Sequence, residues 1–298
     1  MESKFGMRNL FWEKLLRSYW FDESCYKAIK NGKVKCFTYL SSGQEWVSAA
    51  VAAALEEEGI RPYVFAQHRN HAPYLCFGGD PMRLRDELLG RDEEGTSYGI
   101  GGDPCHADSK AKIVGHIGLI ADQVPVAVGH CFGTREPSVV FLGDGAVEED
   151  YFAPALGMAA KHKLPILFIV EDNDLSVLTP KSARRDWKVV DVAEAYGLEA
   201  YDIGINDISK LSEVSSYWAE LDTKPTLLNV HCKRKYWHVC FDKGFGINEE
   251  YMIPGESHRL LFDIIGDYSE ADVGFCSLGT RDKGEGSIKS EMEKLWKA

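Results

Sequence analysis

Short apolar runs alternate with amphipathic segments along most of the chain. The runs are rich in Val, Ile and Leu, which is typical of strands buried on both faces of a parallel sheet. The candidate strands are residues 63–66, 138–142, 164–170, 200–203 and 226–231. Apolar residues at helical spacing predict helices at residues 44–58, 82–89, 122–131, 149–162, 188–196 and 208–221.

This alternation predicts an α/β fold with a doubly wound, mostly parallel sheet. We assign residues 1–242 to one α/β domain with an N-terminal helical extension, an outer helix at residues 10–30. Past Asp242 the pattern loosens, so residues 243–298 are predicted to form a C-terminal tail of unassigned role. A last helix is expected in this tail at residues 287–296.

Two polar residues follow neighbouring candidate strands. Asp144 lies between Gly143 and Gly145, and Asn173 comes just past the next strand. Open α/β sheets bind ligands at the carboxyl ends of their strands, so we expect both side chains to face one site. A carboxylate, an amide and a backbone carbonyl form an all-oxygen half-shell. Such a half-shell suits Mg²⁺ or Ca²⁺ completed by ligand phosphates.

The glycines beside Asp144 favour a phosphate site. Gly143 and Gly145 let the backbone approach a phosphate closely, and the helix expected from about Glu148 turns its positive end toward it. Alternatively, these residues form only a strand-to-helix turn and Asn173 a loop cap, since both residue types favour turns. Gly143-Asp144-Gly145 and Asn173 follow two strands that flank one helix. Together they favour a site that binds a diphosphate.

The stretch from Gly143-Asp144-Gly145 to Glu171-Asp172-Asn173 resembles the thiamine diphosphate motif. The surrounding sequence is similar to the α subunits of 2-oxoacid dehydrogenase E1 components, such as pyruvate, branched-chain and acetoin dehydrogenases. Further segments that match the family in order and spacing are residues 39–45, 67–71, 101–106, 118–125 and 225–230, followed by His238. The resemblance extends over residues 11–238.

This resemblance implies a set of cofactor ligands. The residues that it places around the diphosphate and its metal are Gly143, Asp144, Gly145, Ala146, Asn173 and Leu175. Asp144, Asn173 and the carbonyl of Leu175 would bind Mg²⁺ or Ca²⁺. The N–H groups of Gly145 and Ala146 would meet the diphosphate.

The remaining implied contacts lie on other loops. Arg69 matches an arginine that binds the diphosphate, as suits a guanidinium, and His68 would lie beside it. Gly118 and Ile120 would lie under the aminopyrimidine, with Ile120 as the wedge that keeps the cofactor bent. Catalytic roles at the mouth of the site would go to His71, His106 and His238, because imidazoles transfer protons and stabilise oxyanions. Ordinary structural roles for these residues are the alternative.

The family also implies a partner. Its members take the glutamate that activates the cofactor from a second domain, and a single diphosphate-binding domain cannot contain that domain. We therefore expect an α subunit that pairs with a β subunit, as an α2β2 tetramer, with the cofactor at the interface.

Three functions are open at this point. In the first, a small 2-oxo acid is decarboxylated and its acyl group passes to a lipoyl acyltransferase. In the second, a two-subunit carboligase or ketol transferase, similar to transketolase, delivers a fragment of a 2-oxo acid or ketose to an aldehyde or sugar. The third is a non-catalytic nucleotide-binding or scaffold protein that keeps the fold.

The chain departs from the family at a few positions. Pro154 replaces an acidic residue and Asp150 a glycine, and we expect the proline to kink the helix that holds it. Tyr236 and Trp237 replace an Arg-Gly pair and are expected to reshape the substrate mouth. The segment 179–186 is short and lacks the serines of phosphorylated relatives, so kinase regulation is not expected.

The net charge of the chain bears on which classes of partner it can bind. The formal net charge of −12 argues against binding to nucleic acid or an anionic membrane. The eight cysteines contain no Cys-x-x-Cys pair, and the N-terminus lacks an apolar signal core. Reduced thiols and a cytoplasmic location are therefore expected.

Overall fold

The computed structural model describes residues 2–91, 93–220, 224–236, 238–240 and 278–297. The helices, numbered in chain order, are α1 Glu2–Lys30, α2 Glu45–Glu57, α3 His71–Cys76, α4 Pro81–Leu88, α5 Gln123–Thr134, α6 Phe152–His162, α7 Val189–Ala195, α8 Ile208–Glu220 and α9 Leu278–Leu295. The strands are β1 Tyr63–Phe65, β2 Ile113–Val114, β3 Ser138–Gly143, β4 Ile166–Asp172, β5 Leu175–Ser176, β6 Thr179–Pro180, β7 Glu199–Ile203 and β8 Thr226–His231. Across these ranges, no helix is both long and apolar enough to cross a membrane.

Six of the strands form one sheet in the order β2-β1-β3-β4-β8-β7. Every pair in this sheet is parallel. Strands β5 and β6 form a separate antiparallel hairpin. Helices cover both faces of the sheet, which confirms the predicted α/β, doubly wound fold.

Each face of the sheet has its own core. Val139 and Phe141 of β3 pack in a cluster with side chains from α1, α2, α3, α4, α8 and α9. Val140 and Leu142 point to the opposite face and pack with α5, α6 and α7. Successive strand residues alternate in direction, so a strand covered on both faces needs an uninterrupted apolar run.

The N-terminal helix belongs to the core. Leu15, Phe21 and Ile29 of α1 are fully buried, because α2, α3 and α9 all pack against this helix. The helix that was expected on the outside packs on these other helices and buries its apolar side chains. Helix α9 buries Met292, and the Trp296 ring just beyond it lies 5.6 Å from that of Phe21. The rest of the expected tail, residues 243–277, lies outside the described residues, and the division at residue 242 stays a prediction.

Most predicted elements are present with shifted ends. The patterns missed α3, β2 and the β5–β6 hairpin, which are too short to show a period. Helix α6 begins at Phe152, so Pro154 is its third residue. The first N–H groups of a helix have no acceptor within it, and Pro154 therefore removes no helical hydrogen bond. The predicted interior proline kink is wrong for that reason.

Candidate active site

Asp144 and Asn173 lie at one edge of the sheet. In the parallel β3–β4 ladder, Gly143 pairs with Glu171. Asp144 directly follows Gly143, and Asn173 lies two residues past Glu171, just beyond the end of β4. The shared edge follows from the parallel pairing, as the positions of the apolar runs predicted.

The carboxylate of Asp144 is almost completely buried and forms an ion pair with Arg184. The backbone carbonyl of Asp144 accepts a hydrogen bond of 2.5 Å from Nη1 of Arg185. Burial raises the pKa of Asp144 above its ordinary value, although Arg184 opposes that shift. Ionised Asp144 is thus stabilised by positive charge, which is supplied in this structure by an arginine.

Asn173 is held by both ends of its amide. Its Nδ2 donates to Oε1 of Gln44 at 2.8 Å, and its Oδ1 accepts from the N–H of Leu175 at 3.1 Å. Behind it, Nε2 of Gln67 donates to the buried carboxylate of Glu171 at 2.5 Å. Burial raises the pKa of Glu171 to about 7, although Gln67 opposes the shift. Asn173 is therefore held by Gln44, just before α2, and by the backbone N–H of Leu175.

The turn after β3 is tightly enclosed. A Cβ atom at Gly145 would lie 2.8 Å from Oγ and 2.9 Å from Cβ of Ser176, on the β5–β6 hairpin. A Cβ at Gly143 would lie 3.3 Å from Oε1 of Gln67. Ala146 begins a single 3₁₀ turn that ends at Glu148. The close approach requires glycine at position 145 and brings the turn's backbone against the hairpin.

Arg69 is buried and bonded to two backbone carbonyls. Its guanidinium donates to the carbonyl of Leu40 at 2.6 Å and to that of His238 at 3.1 Å. The neighbouring His68 ring packs 4.8 Å from the ring of Tyr39. Burial and the charge of Arg69 hold the pKa of His68 well below its ordinary value. Diphosphate contacts from both residues stay predictions.

His71 lies in the interior between two carboxylates. Its Nδ1 lies 2.6 Å from Oδ1 of Asp22, and its Nε2 forms an ion pair with Asp103. Burial lowers the pKa of this imidazole, but Asp103 and Asp22 outweigh burial and raise it to about 10. His71 is consequently a buried cation that ties α1 to the loop before β2.

The other two predicted catalytic histidines differ from His71. His106 is fully buried, and its Nδ1 donates to the carbonyl of Asp103 at 3.0 Å. Burial lowers its pKa to about 4. His238 is half-buried beside His68, with 5.3 Å between ring centroids. Burial and the charges of Arg69 and Arg234 lower its pKa to about 3, so its ring is neutral at pH 7.

Gly118 and Ile120 lie on the loop before α5. Gly118 has a φ of +99°, which glycine adopts readily. The Ile120 side chain is 43% exposed, so it is not a plain core residue. Its backbone carbonyl accepts a hydrogen bond from the hydroxyl of Tyr151. Ile117 and Leu119 on this loop are also exposed, as is Val126 in the first turn of α5.

Two groups in the site were missed from sequence. Arg184 and Arg185 follow the β5–β6 hairpin. The only sequence signal for a role in the site was the presence of two adjacent arginines in a short loop. Tyr236, which was expected together with Trp237 to reshape the substrate mouth, lies in the interior. It is buried, donates from its hydroxyl to Glu23 at 2.8 Å and stacks on Tyr26. Trp237 lies outside the described residues.

Comparisons with known proteins agree with this architecture. The model of the dehydrogenase E1 component family matches residues 14–251. The pyruvate dehydrogenase E1 component subunit alpha of Rickettsia prowazekii is 31% identical over 234 residues, 74% of this chain and 70% of that protein. The protein of the same name from Zymomonas mobilis is 27% identical over 283 residues, 92% of this chain and 79% of that protein.

A solved structure shows the same fold. A transketolase mutant from Pichia stipitis aligns with 96% of this chain at a TM-score of 0.56 and 15% sequence identity. This chain spans 48% of the length of that chain. At this identity the likeness concerns the fold alone.

Proposed function

The chain belongs to the dehydrogenase E1 component family, and from this membership we propose that it is the α subunit of a thiamine diphosphate-dependent enzyme. The enzyme would cleave a carbon-carbon bond next to a carbonyl, acting on a small 2-oxo acid. The geometry that supports this most directly is the shared strand edge of Asp144 and Asn173, with the enclosed Gly145 turn between them.

The donor set fits a hard divalent cation. Asp144 contributes a buried carboxylate, and Asn173 has a second lone pair on Oδ1 beyond the one used by Leu175. With the carbonyl of Leu175 these are all oxygen ligands, as Mg²⁺ or Ca²⁺ prefers. The metal would link the protein to the cofactor's diphosphate. The N–H groups of Gly145 and Ala146, beside Gly143, would complete the diphosphate site.

Thiamine diphosphate, when bound, supplies a nucleophilic carbon and an electron sink for the bond that breaks. This chain would bind and orient it, with Gly118 and Ile120 beneath the pyrimidine and Arg69 and His68 near the diphosphate. The low pKa of His238 keeps its imidazole neutral at pH 7, so the ring would donate a hydrogen bond from its N–H to the substrate carbonyl.

His71 and His106 were predicted to act beside His238. Both rings are 0% exposed. We propose that they serve catalysis by positioning the loop of residues 101–106, because each is bonded to Asp103 within that loop. His238 remains the half-buried member of the three.

The loop before α5 exposes apolar side chains, which supports the proposal of a partner subunit. Ile117 is 72% and Leu119 64% exposed, on either side of Gly118. Adjacent large apolar side chains that face water mark interaction sites. We propose that a β subunit covers this loop, supplies the glutamate that activates the cofactor and completes an α2β2 tetramer.

The acyl acceptor separates two versions of the enzyme. In a dehydrogenase the acyl group passes to a lipoyl acyltransferase, whereas in a carboligase it passes to an aldehyde or sugar. Tyr236 is buried, but the loss of the Arg-Gly pair before His238 keeps the carboligase open. Assays of 2-oxo acids with a lipoyl domain and with aldehydes would identify the acceptor.

Calorimetry tests the proposal directly. The chain, copurified with its β subunit, is titrated with thiamine diphosphate in the presence of Mg²⁺. We expect Asp144→Asn to abolish metal-dependent binding and Asp174→Asn, an exposed neighbour, to leave it unchanged. Absence of binding by the unmodified complex would overturn the enzyme proposal and leave a non-catalytic protein of this fold.

A further inference from the structure

Arg184 holds the carboxylate on which the proposed metal site depends. Its Nη2 pairs with Oδ2 of Asp144, and its Nη1 pairs with Oε1 of Glu148. Its side chain is only 11% exposed. A guanidinium thus occupies the position of the counter-charge that a divalent cation would provide.

The same guanidinium also borders the Gly145 turn. The position of a Cβ at Gly145 lies 3.5 Å from Nη1 of Arg184. Its Nε is buried and has no hydrogen-bond partner among the residues that the structure describes. Arg184 therefore has donors beside the backbone that would meet a diphosphate.

Arg185 secures the neighbouring groups independently. Its Nη1 donates to the carbonyl of Asp144 at 2.5 Å and to Oε1 of Glu148 at 2.7 Å. Its side chain is 2% exposed, and its guanidinium packs 4.6 Å from the ring of Trp187. If Arg184 moved away, Glu148 would keep its ion pair with Arg185. Asp144 would then be paired with the cation, so neither carboxylate would be left without a partner.

We propose, building on the proposed function, that Arg184 is a diphosphate ligand that exchanges partners. Without metal it neutralises Asp144. When a divalent cation takes Asp144, the freed guanidinium turns its fork of N–H donors to the phosphate oxygens brought by the cation. Phosphate suits this fork because it accepts two parallel hydrogen bonds.

The exchange of partners predicts that removal of Arg184 changes two affinities in opposite directions. Arg184 competes with a metal ion that arrives alone, so its removal strengthens that binding. It assists a metal ion that arrives with a diphosphate, so its removal weakens that binding. A purely structural arginine would weaken both.

The experiment uses the full chain with its β subunit and two probes, Mn²⁺ alone and inorganic diphosphate with Mg²⁺. For Arg184→Ala we expect about fivefold tighter Mn²⁺ binding, the strength of one modest ion pair. We expect about tenfold weaker binding of inorganic diphosphate, for the loss of charge-assisted hydrogen bonds. Arg61→Ala removes the same charge from an exposed position before β1 and should change neither affinity.

Arg184→Lys keeps the charge but lacks the fork of N–H donors. Its Mn²⁺ affinity should be near that of the unmodified protein. Its diphosphate affinity should lie between those of the unmodified protein and Arg184→Ala. Circular dichroism melts verify that each variant is folded. If Arg184→Ala and Arg184→Lys leave diphosphate affinity unchanged, or if Mn²⁺ binding weakens in folded Arg184→Ala, the partner exchange is wrong. Failure of the proposed function is distinct, because the unmodified protein itself would then not bind thiamine diphosphate.

Discussion

Nδ2 of Asn173 donates a hydrogen bond of 2.8 Å to Oε1 of Gln44. Gln44 precedes the first residue of α2 and is 1% exposed. The bond fixes which end of the Asn173 amide is the donor, and so leaves Oδ1 as the end that can meet a cation. A residue far away in the sequence thereby orients a proposed metal ligand.

Gln44→Leu should weaken metal binding without removing a ligand. The Leu side chain cannot accept from Asn173, so the amide would lose its fixed orientation. Loss of such a supporting contact typically lowers metal affinity about tenfold or more, and titration with Mn²⁺ measures it. Asn31→Ala, which removes an exposed amide, is the control. Equal affinities of Gln44→Leu and the unmodified protein would contradict an orienting role.

Gly145→Ala should disrupt the diphosphate turn, because its Cβ would collide with Ser176. We expect a loss of about 1–3 kcal/mol in the free energy of unfolding and a weaker affinity for thiamine diphosphate. Adding Ser176→Gly removes both colliding atoms and should restore cofactor affinity. Urea unfolding and calorimetry on the single and double variants test this rescue.

Gly129→Ala serves as the glycine control. Gly129 lies in α5, and no atom lies within 4 Å of its Cβ position. Alanine there should stabilise the protein by up to about 1 kcal/mol. If Gly145→Ala behaved like Gly129→Ala, the enclosure of the turn by the hairpin would have no energetic effect.

Sequence predicted the strand edge of the site because that edge depends on local patterns. The apolar runs before Asp144 and Asn173 had to be buried parallel strands, and parallel strands end at one edge. The side chain contacts at that edge depend on distant segments. Nothing local to Arg184 indicates that the β5–β6 hairpin brings it to Asp144, 40 residues earlier in the chain.

The histidines show the same limit more clearly. Family spacing placed His71 and His106 in the site, but spacing does not report burial. The carboxylates beside His71 come from α1 and from the loop before β2, and their convergence depends on the packing of α1 in the core. Helical spacing does not report which elements pack on α1, and this also concealed the surroundings of His71.

Glu45→Gln should stabilise the protein at high pH. Burial raises the pKa of Glu45 to about 8, so the folded protein holds this proton more tightly than the unfolded chain. The resulting stability is complete below about pH 4.5 and is lost as pH rises through about 8. We expect Gln to gain about 2 kcal/mol relative to Glu at pH 9 and less at pH 5.

Urea unfolding at both pH values measures that difference. Glu57→Gln is the matched control, because Glu57 lies on the same helix and is exposed. It should change stability equally at pH 5 and pH 9. A Glu45→Gln gain that did not grow with pH would show that Glu45 does not titrate in this range.

His71 should give the protein a pH dependence of the same direction, through a buried cation instead of a buried neutral acid. Asp22 and Asp103 outweigh burial and raise its pKa to about 10, against an ordinary value of 6.5. A base with a raised folded pKa contributes stability that is complete below about pH 6.5 and is lost as pH rises through about 10. Removal of its charge also leaves two buried carboxylates without their common partner, which costs about 3–5 kcal/mol.

We therefore expect His71→Gln to be strongly destabilised near pH 6.5, by about 3–5 kcal/mol, with a deficit that shrinks as pH approaches 10. Urea unfolding across pH 6–10 follows the difference between the two proteins, so that titrations common to both cancel. The exposed His162, changed to Gln, should give no such pH-dependent difference. A deficit for His71→Gln that stayed constant across this range would mean that the imidazole is neutral in the folded protein and acts through hydrogen bonds alone.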